Sequence, residues 1–380
     1  MESTRPVVTP RAPALVQSPR SYAMRGHRLE QPPDKLVLVV DLDETLVYAL
    51  RKDRAPPPVL SAADETPGLA QLDCTTVVLG DEQFDVLLRP GAVEFLHRMA
   101  KHYEIFLYTM GTQEYVSQIL PVLDPDGLVF TPGHVCVWTP EHDRTTKELA
   151  RVGADERQVL ILDDALYAWR EHVANLVLIT RFVGDRRDSA LHVLPQYLRQ
   201  IHASYFHART PARDRDVRVL LAQLCKPLMA RCELSFTGYK HPSPEAMRDE
   251  PICQLAARFG ATLSFAVRPS TTHLIIRDGG SAARGTDWAT SPKVRLALRE
   301  SASRAPTDEP ILVVSEQWLH ASICSLWPVD ERPHVLVHAD GTPVTQQPAQ
   351  TPLPHSADEE AAAECGGADG ARRPRPPSAS

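Results

Sequence analysis

The sequence predicts an α/β fold built on a mainly parallel sheet, followed by a second and smaller α/β domain. Three segments carry this prediction, because residues 36–40, 104–109 and 158–162 are mainly apolar runs without the alternation of a half-exposed strand. Segments with helical spacing separate these runs, and parallel neighbours need such crossover connections. The 380 residues leave room for two or three domains, each large enough to bury a core.

The composition argues against several functional classes. With 41 basic and 48 acidic residues the formal net charge is −7, whereas nucleic-acid binders carry a basic surface, so we expect no direct DNA binding. No apolar run approaches the roughly 18 residues of a membrane span, and no signal-peptide pattern opens the chain. The 7 cysteines form no CxxC pair, which favours reduced thiols. We therefore expect a soluble protein of the nucleus or cytosol.

The chain divides into five regions by composition. An arm over residues 1–33 and a tail over residues 338–380 lack hydrophobic periodicity and are predicted to be disordered. Between them the pattern predicts a catalytic domain over 34–206, a charge-rich linker over 207–221 and a second domain over 222–337.

Two of the buried strands end in acidic pairs. Asp41 and Asp43 follow the first strand at alternate positions, so an extended chain directs both side chains to the same side. Asp163 and Asp164 follow the strand 158–162. An Asp-rich turn is the alternative for either pair alone. Because the carboxyl ends of parallel strands meet at one edge, and close carboxylates need a cation or proton between them, two such pairs favour a Mg²⁺ site.

Three further polar residues lie near ends or turns of the predicted elements. Thr109 ends the strand 104–109 and precedes Gly111, whose backbone allows a ligand to approach, although a strand-capping threonine is the alternative. Lys147 is predicted early in a short helix, where a lone lysine is normally solvated. Arg89, in an Arg-Pro-Gly turn, either shapes a phosphate pocket or binds turn carbonyls.

The remaining elements follow from hydrophobic spacing and turn residues. In the first domain we predict a hairpin over 74–79 and 83–88, strands over 135–138 and 176–182, helices over 92–101, 113–122 and 195–206, and a loop over 51–70. In the second domain we predict strands over 234–238, 262–267, 272–276 and 311–314, and helices over 250–259, around 293–297 and from 315.

Several of these motifs resemble one family of enzymes. The stretch 41–45, Asp-Leu-Asp-Glu-Thr, matches the DxDxT signature of the haloacid-dehalogenase-like phosphotransferases, in the branch of the RNA polymerase II carboxy-terminal-domain phosphatases. The stretch 108–112, Tyr-Thr-Met-Gly-Thr, is similar to the second motif of these phosphatases, and Lys147 stands where they have a third-motif lysine. The pair at 163–164 followed by Trp169 is similar to their Asp-Asp-then-Trp pattern. The resemblance covers about residues 34–206.

The resemblance implies a covalent mechanism. Asp41 is expected to attack phosphorus and form an aspartyl-phosphate, while Asp43 acts as general acid and then as general base. Thr109 and Lys147 are expected to bind the phosphoryl group, and Asp163 to orient Lys147 or a metal-bound water. The ligands expected for Mg²⁺ are Asp41, the Asp43 carbonyl and Asp164.

Residues 222–337 resemble a BRCT domain. The most specific parts are the Gly-Ala turn at 260–261, the Thr-Thr-His-Leu-Ile strand at 271–275 and the Trp-Leu pair at 318–319. The resemblance implies two alternatives that both stay open. The domain binds a phosphopeptide through Thr237, Gly238 and Lys293, or it serves only as a protein-docking surface.

A phosphatase domain followed directly by a BRCT domain is similar to the transcription-factor-IIF-associating phosphatases. The resemblance implies a nuclear, Mg²⁺-dependent protein serine/threonine phosphatase acting on phosphoserine in the heptads of the RNA polymerase II tail, with general transcription factors as further partners. The alternatives are a phosphatase for another phosphoprotein and a catalytically idle phosphopeptide-binding scaffold. Tyr48, Trp138 and Ala165 depart from the pattern of the family, and we expect them to affect substrate choice.

Overall fold

The structure is a computed structural model. It describes residues 34–344, with the exception of 54–72, 132, 208, 240–242, 278–287 and 306. The arm predicted over residues 1–33 and most of the predicted tail lie outside the described residues. So does most of the loop predicted over 51–70.

The first half of the chain contains eight strands among the described residues. They are β1 (Leu36–Val40), β2 (Val47–Arg51), β3 (Cys74–Leu79), β4 (Glu82–Leu88), β5 (Tyr103–Tyr108), β6 (Val135–Cys136), β7 (Val159–Asp163) and β8 (Leu176–Leu178). The α-helices of this half are α1 (Ala92–Met99), α2 (Gln113–Leu123), α3 (Ala190–Phe206) and α4 (Val217–Cys225).

Five parallel strands form the first sheet, in the order β6-β5-β1-β7-β8. All five side chains of β1 are completely buried, as a central strand covered on both faces requires. The backbone N–H of Asp41 continues the ladder beyond β1 by donating to the Leu162 carbonyl at 3.0 Å. The predicted parallel sheet is therefore confirmed, and the ends of β1 and β7 lie side by side.

A small antiparallel sheet with the order β2-β4-β3 is inserted between β1 and α1. The predicted hairpin β3–β4 is confirmed, whereas β2 was not predicted. Only Val47 of this strand is buried, so its sequence lacks the signal of a core strand. The insertion starts and ends at adjacent points of the fold, because the Arg89 N–H donates to the Leu46 carbonyl at 2.9 Å.

The chain around Lys147 is not helical, and the prediction of a short helix there was wrong. Lys147 has no regular secondary structure, the next residue, Glu148, is extended, and a 3₁₀ turn begins only at Leu149. The Lys147 N–H donates instead to the Ala168 carbonyl at 2.8 Å. This bond replaces the one that a helix would provide.

Other boundaries also differ from the predictions, and the strand predicted over 135–138 ends at Cys136. The strand predicted over 176–182 ends at Leu178, and the helix predicted from residue 195 begins at Ala190. Helix α4 begins at Val217, inside the region predicted as a linker, and packs against α3 and β7.

The second half forms a second sheet of five strands. Its strands are β9 (Glu233–Thr237), β10 (Thr262–Leu263), β11 (His273–Ile276), β12 (Leu312–Ser315) and β13 (Val335–Val337). They are arranged in the order β10-β9-β11-β12-β13, and β13 alone is antiparallel to its neighbour. The helices are α5 (Pro244–Arg248), α6 (Pro251–Arg258), α7 (Pro292–Ala302) and α8 (Glu316–Ser325). The small α/β unit is as predicted, except that α5 and β13 were missed and β10 is shorter.

The two sheets share one hydrophobic core. Buried side chains of both halves, from Leu36 to Leu326, belong to a single packed cluster. A 3₁₀ segment over Leu166–Asn175, which we call the bridging segment, contacts α4 and α6. Helix α6 of the second half therefore packs on the chain that directly follows Asp163 and Asp164. Among the described residues, none of the helices combines the length and apolar character needed to span a bilayer.

The turn at Gly260 gives a stability test of the second half. Its φ of +93° favours glycine, and an added Cβ would lie 2.0 Å from the Lys226 carbonyl oxygen. We expect Gly260→Ala to lower the free energy of unfolding by about 3 kcal/mol, measured by calorimetry or denaturant titration. Gly341→Ala is the matched control, because its φ is +86° but the nearest side-chain atom, Leu298 Cδ1, is 3.6 Å away. Equal losses in the two variants would contradict the steric explanation.

Candidate active site

A buried lysine joins the ends of the two central strands. The Lys147 ammonium donates to Asp41 Oδ1 at 2.6 Å and to Asp163 Oδ2 at 2.6 Å. Exposed fractions are 5% for Lys147, 6% for Asp41 and 0% for Asp163, so water screens these charges very little. The strand order places Asp41 and Asp163 side by side. The chain before Leu149 places the Lys147 side chain against both carboxylates.

Asp163 is fixed by two further donors. The Trp169 indole N–H donates to Oδ2 at 2.7 Å, and the Ala165 backbone N–H donates to Oδ1 at 2.7 Å. With Lys147, both oxygens of this carboxylate are engaged in hydrogen bonds. Its geometry suits the predicted role of orienting Lys147, and that role stays a prediction.

Asp43 has a separate set of partners. The Tyr115 hydroxyl donates to Oδ1 at 2.6 Å and the Thr109 hydroxyl to Oδ2 at 3.1 Å, while Thr109 Oγ1 accepts the Gly111 N–H at 2.9 Å. Burial raises the pKa of the Asp43 carboxyl, and the bonds from Tyr115 and Thr109 oppose that rise. Sequence reasoning missed Tyr115, because its position on α2 is that of an ordinary core aromatic.

Three carboxylates converge on one volume that suits a divalent cation. Asp41, Asp163 and Asp164 each offer an oxygen, and these oxygens lie within 4.8 Å of one another. Burial raises the pKa of Asp41 and Asp164, and the negative charge of Asp163 raises both further. Burial opposes the charge of Lys147, but Asp163 and Asp41 outweigh it and raise its pKa.

The charges and atom types of this cluster fit such an ion. When ionised, three carboxylates against one ammonium leave two negative charges in a buried site, and carboxylate oxygens are hard ligands. Asp163 takes part in the cluster, whereas the predicted ligand set was Asp41, the Asp43 carbonyl and Asp164. Magnesium as the ion and the Asp43 carbonyl as a ligand stay predictions.

Arginines fix the chain around the acidic turn. Arg89 is buried and donates to the Thr45 carbonyl at 3.1 Å, to the Thr180 carbonyl at 2.7 Å and to Asp188 Oδ1 at 2.8 Å. Of the two interpretations of Arg89, the structure therefore favours the binding of turn carbonyls. Glu44, in the left-handed region with φ 62°, forms an ion pair with Arg181.

The three positions that depart from the family pattern lie at different places. The Trp138 N–H donates to the Gly111 carbonyl at 3.0 Å, and the Arg144 guanidinium stacks 3.8 Å from the centre of the Trp138 ring. This pair therefore lies beside the turn after Thr109. Ala165 contacts Asp163 through its backbone N–H, which donates to Asp163 Oδ1. The remaining position, 48, is a half-buried tyrosine in β2.

The candidate phosphopeptide residues of the second half lie close together. Thr237 ends β9, and Gly238 follows with φ +86°. The Lys293 ammonium donates to the Phe236 carbonyl at 2.5 Å, which brings it to the same strand end. Burial lowers the pKa of Lys293. Phosphopeptide binding at these residues stays a prediction.

The acidic cluster predicts a pH-dependent response to divalent cations. Because their pKa values are raised, Asp41 and Asp164 stay protonated in the folded chain at pH values where they are ionised in the unfolded chain. The free energy of unfolding of the cation-free protein therefore falls as the pH rises. A cation must displace these protons, so its stabilising effect should grow with pH. We expect Mg²⁺ at about 100 times its Kd to stabilise the fold by about 2.7 kcal/mol at high pH.

The measurement is the Tm with and without Mg²⁺ at about pH 5 and about pH 8. Asp164→Asn should lose the rise in Tm, whereas Asp340→Asn, at an exposed carboxylate, should keep it. An equal rise at both pH values, or in the Asp164→Asn variant, would contradict binding at the cluster.

Comparisons with known proteins show which families and structures this chain is similar to. Residues 36–209 match the NLI interacting factor-like phosphatase family. The RNA polymerase II C-terminal domain phosphatase-like 4 of Arabidopsis thaliana is 30% identical over 72% of this chain and 66% of its own length. An RNA polymerase II C-terminal domain phosphatase of Caenorhabditis elegans is 25% identical over 82% of this chain and 47% of its own length. The chain thus spans less than two thirds of each of these relatives.

A solved structure shares the fold across both sheets. The fission yeast RNA polymerase II CTD phosphatase Fcp1, in a variant bound to beryllium fluoride, superposes with a TM-score of 0.61 at 21% identity. The match covers 80% of this chain and 96% of that one, so the predicted haloacid-dehalogenase-like fold with its additional α/β unit is confirmed. By its sequence, the part of the chain over residues 36–209 belongs to the family of NLI interacting factor-like phosphatases.

Proposed function

We propose that this chain is a Mg²⁺-dependent protein serine/threonine phosphatase that removes phosphate from phosphoserine in the heptads of the RNA polymerase II tail. The observation that carries the proposal is the buried contact of Lys147 with Asp41 and Asp163, each at 2.6 Å, next to a separately held Asp43. The names of the relatives supply the substrate. A nuclear location follows from that substrate, and general transcription factors are further proposed partners.

In the first step Asp41 acts as the nucleophile. One of its oxygens attacks phosphorus, and the bond between phosphorus and the seryl oxygen breaks. Asp43 donates its proton to that oxygen, and the rise of its pKa through burial favours the protonated form needed here. Tyr115 and Thr109 hold the Asp43 carboxyl in one orientation.

In the second step water hydrolyses the aspartyl-phosphate. Asp43, now ionised, takes a proton from water as its oxygen attacks phosphorus, and the bond from phosphorus to Asp41 breaks. The products are serine and inorganic phosphate, and both carboxyl groups return to their starting states. Lys147 stays bonded to Asp41 and Asp163 and balances negative charge near the phosphoryl oxygens. A divalent cation at Asp41 and Asp164 would neutralise the remaining charge on those oxygens.

Two alternatives lead to different measurements. A phosphatase for another phosphoprotein has the same chemistry and differs only in peptide selectivity. An idle scaffold binds phosphopeptides through Thr237, Gly238 and Lys293 without turnover. The convergence of Asp41, Lys147 and Asp163 favours an enzyme, because a scaffold has no need for buried, mutually repelling carboxylates.

Heptad peptides phosphorylated at single serines test the proposal directly. We expect Mg²⁺-dependent release of phosphate that EDTA abolishes and that Asp41→Asn lowers by at least about 10³-fold, because asparagine is not a nucleophile. A matched control is Asp185→Asn, at an exposed aspartate, which should behave as the wild type. Release of phosphate from an aryl phosphate but not from heptad peptides would support the catalytic mechanism and reject the polymerase tail as the substrate. No release from either would favour the scaffold.

Tyr115→Phe tests the role of Asp43. Loss of the hydroxyl removes a bond that lowers the pKa of Asp43, so that pKa should rise. The second step needs ionised Asp43, and the acid limb of the kcat profile should therefore move to higher pH, with kcat near neutral pH about tenfold lower. The control is Tyr103→Phe, which removes a buried hydroxyl bonded to the Leu198 carbonyl at 2.6 Å. An unmoved acid limb would exclude this role for Tyr115.

A further inference from the structure

The chain around Lys147 is held by hydrogen bonds to distant parts of the fold. The Lys147 N–H donates to the Ala168 carbonyl at 2.8 Å, and the Leu149 N–H donates to His172 Nε2 at 3.4 Å. Both acceptors belong to the bridging segment. Because the chain just before Leu149 has no regular secondary structure, its conformation depends on such non-local acceptors, and so does the position of the Lys147 ammonium.

A third acceptor, the Tyr108 hydroxyl, comes from the parallel sheet. It accepts the N–H of Glu148, the residue after Lys147, at 3.2 Å. Tyr108 is the last residue of β5 and is only 2% exposed. A tyrosine hydroxyl that is buried needs a hydrogen-bond partner, and here the partner is the backbone that carries the lysine. Strand β5 therefore restrains the chain directly after Lys147.

The Tyr108 ring also lies beside the lysine ammonium. The ammonium nitrogen of Lys147 is 5.8 Å from the centre of the Tyr108 ring and 5.9 Å from the centre of the Trp169 ring. The two rings meet edge-on, with their centres 5.2 Å apart. The face of an aromatic ring within about 6 Å attracts a cation. The rings therefore support the ammonium in addition to its bonds with Asp41 and Asp163.

The position of Tyr108 in β5 links the two sets of contacts in the site. The next residue, Thr109, donates to Asp43 at 3.1 Å. Tyr108 itself contacts the backbone after Lys147 and the Lys147 side chain, which donates to Asp41 at 2.6 Å. A displacement of this chain relative to β5 would therefore move the partner of the proposed nucleophile relative to the proposed general acid.

We propose that Tyr108 is a positioning residue of the active site. Its hydroxyl fixes the backbone at Glu148 and thereby holds the Lys147 ammonium against Asp41 and Asp163. This role needs no contact between Tyr108 and the substrate. The inference rests on the proposed function for its kinetic readouts, but not for its structural one.

The kinetic test is Tyr108→Phe, which keeps the ring and removes the acceptor of the Glu148 N–H. Groups that orient the ligands of an active site typically contribute about 10- to 100-fold to activity. On a small aryl phosphate with Mg²⁺ we expect kcat to fall about tenfold with KM unchanged, because Lys147 balances charge in the transition state.

The matched control is Tyr103→Phe. Tyr103 begins the same strand, is 1% exposed, and its hydroxyl donates to the Leu198 carbonyl at 2.6 Å. It therefore loses a buried hydroxyl of the same kind at the opposite end of β5, and we expect wild-type kcat. An equal fall of kcat in both variants, or none in Tyr108→Phe, would overturn the proposal.

The pH profile separates this role from that of Tyr115. Tyr108→Phe keeps the bonds from Tyr115 and Thr109 to Asp43, so kcat should fall by the same factor at each pH and the acid limb should not move. A shifted acid limb would mean that the substitution acts on Asp43, and it would overturn the proposal.

The structural readout is chemical labelling of Lys147 by acetic anhydride, followed by mass spectrometry. The reagent modifies an uncharged amine that it can reach, so the buried ammonium must first leave Asp41 and Asp163. In Tyr108→Phe we expect labelling of Lys147 to be at least about tenfold faster, and in Tyr103→Phe to keep the wild-type rate.

Lys293, which is half-buried in the second half, is the internal reference for labelling. Its rate should be the same in all three chains, and an equal acceleration at Lys293 would indicate a general loss of stability and overturn the proposal. Unchanged labelling of Lys147 in Tyr108→Phe would overturn it even if the wild type hydrolyses no phosphoester. Faster labelling of Lys147 alone, in a chain without activity, would retain this inference and reject the proposed function.

Discussion

The structure of the site depends on one buried ammonium group, that of Lys147 between Asp41 and Asp163. Moving three charges out of water is unfavourable, and close contacts in a medium of low polarity must offset that cost. Removing one partner of such a buried ion pair lowers the free energy of unfolding by about 3–5 kcal/mol, because it leaves a charge without a counterion. The strand order β5-β1-β7 and the chain around Lys147 together bring these three groups into contact, although Asp41 and Lys147 are 106 residues apart.

The parts of the fold that the sequence predicted correctly are those with a strong local signal. Strands β1, β5 and β7 are continuous apolar runs, and a strand buried on both faces needs no further information to be recognised. Strand β2 has one buried side chain and owes its conformation to pairing with β4. Strand β13 has three residues and pairs only at the sheet edge. Both depend on partners distant in the sequence, which local periodicity does not reveal.

The same distinction applies to the site. The acidic pairs could be predicted because strand ends are local features that the topology brings to one edge. The non-helical conformation at Lys147 could not be predicted, since the sequence around it is compatible with a helix. A distant carbonyl, that of Ala168, accepts its backbone N–H. Tyr115 was also missed. A tyrosine on a packed element resembles a core residue until the direction of its hydroxyl is known.

The small antiparallel sheet affects how this protein could diverge in evolution. It leaves and rejoins the main fold at neighbouring points, Leu46 and Arg89, which one backbone hydrogen bond connects. The entropy of closing such an excursion grows only with the logarithm of its length, and a doubling costs about 0.6 kcal/mol. Lengthening the chain between these two points therefore costs little closure entropy. The surface that this sheet forms can therefore change in size and shape during evolution while Asp41 and Asp43 stay in the same positions.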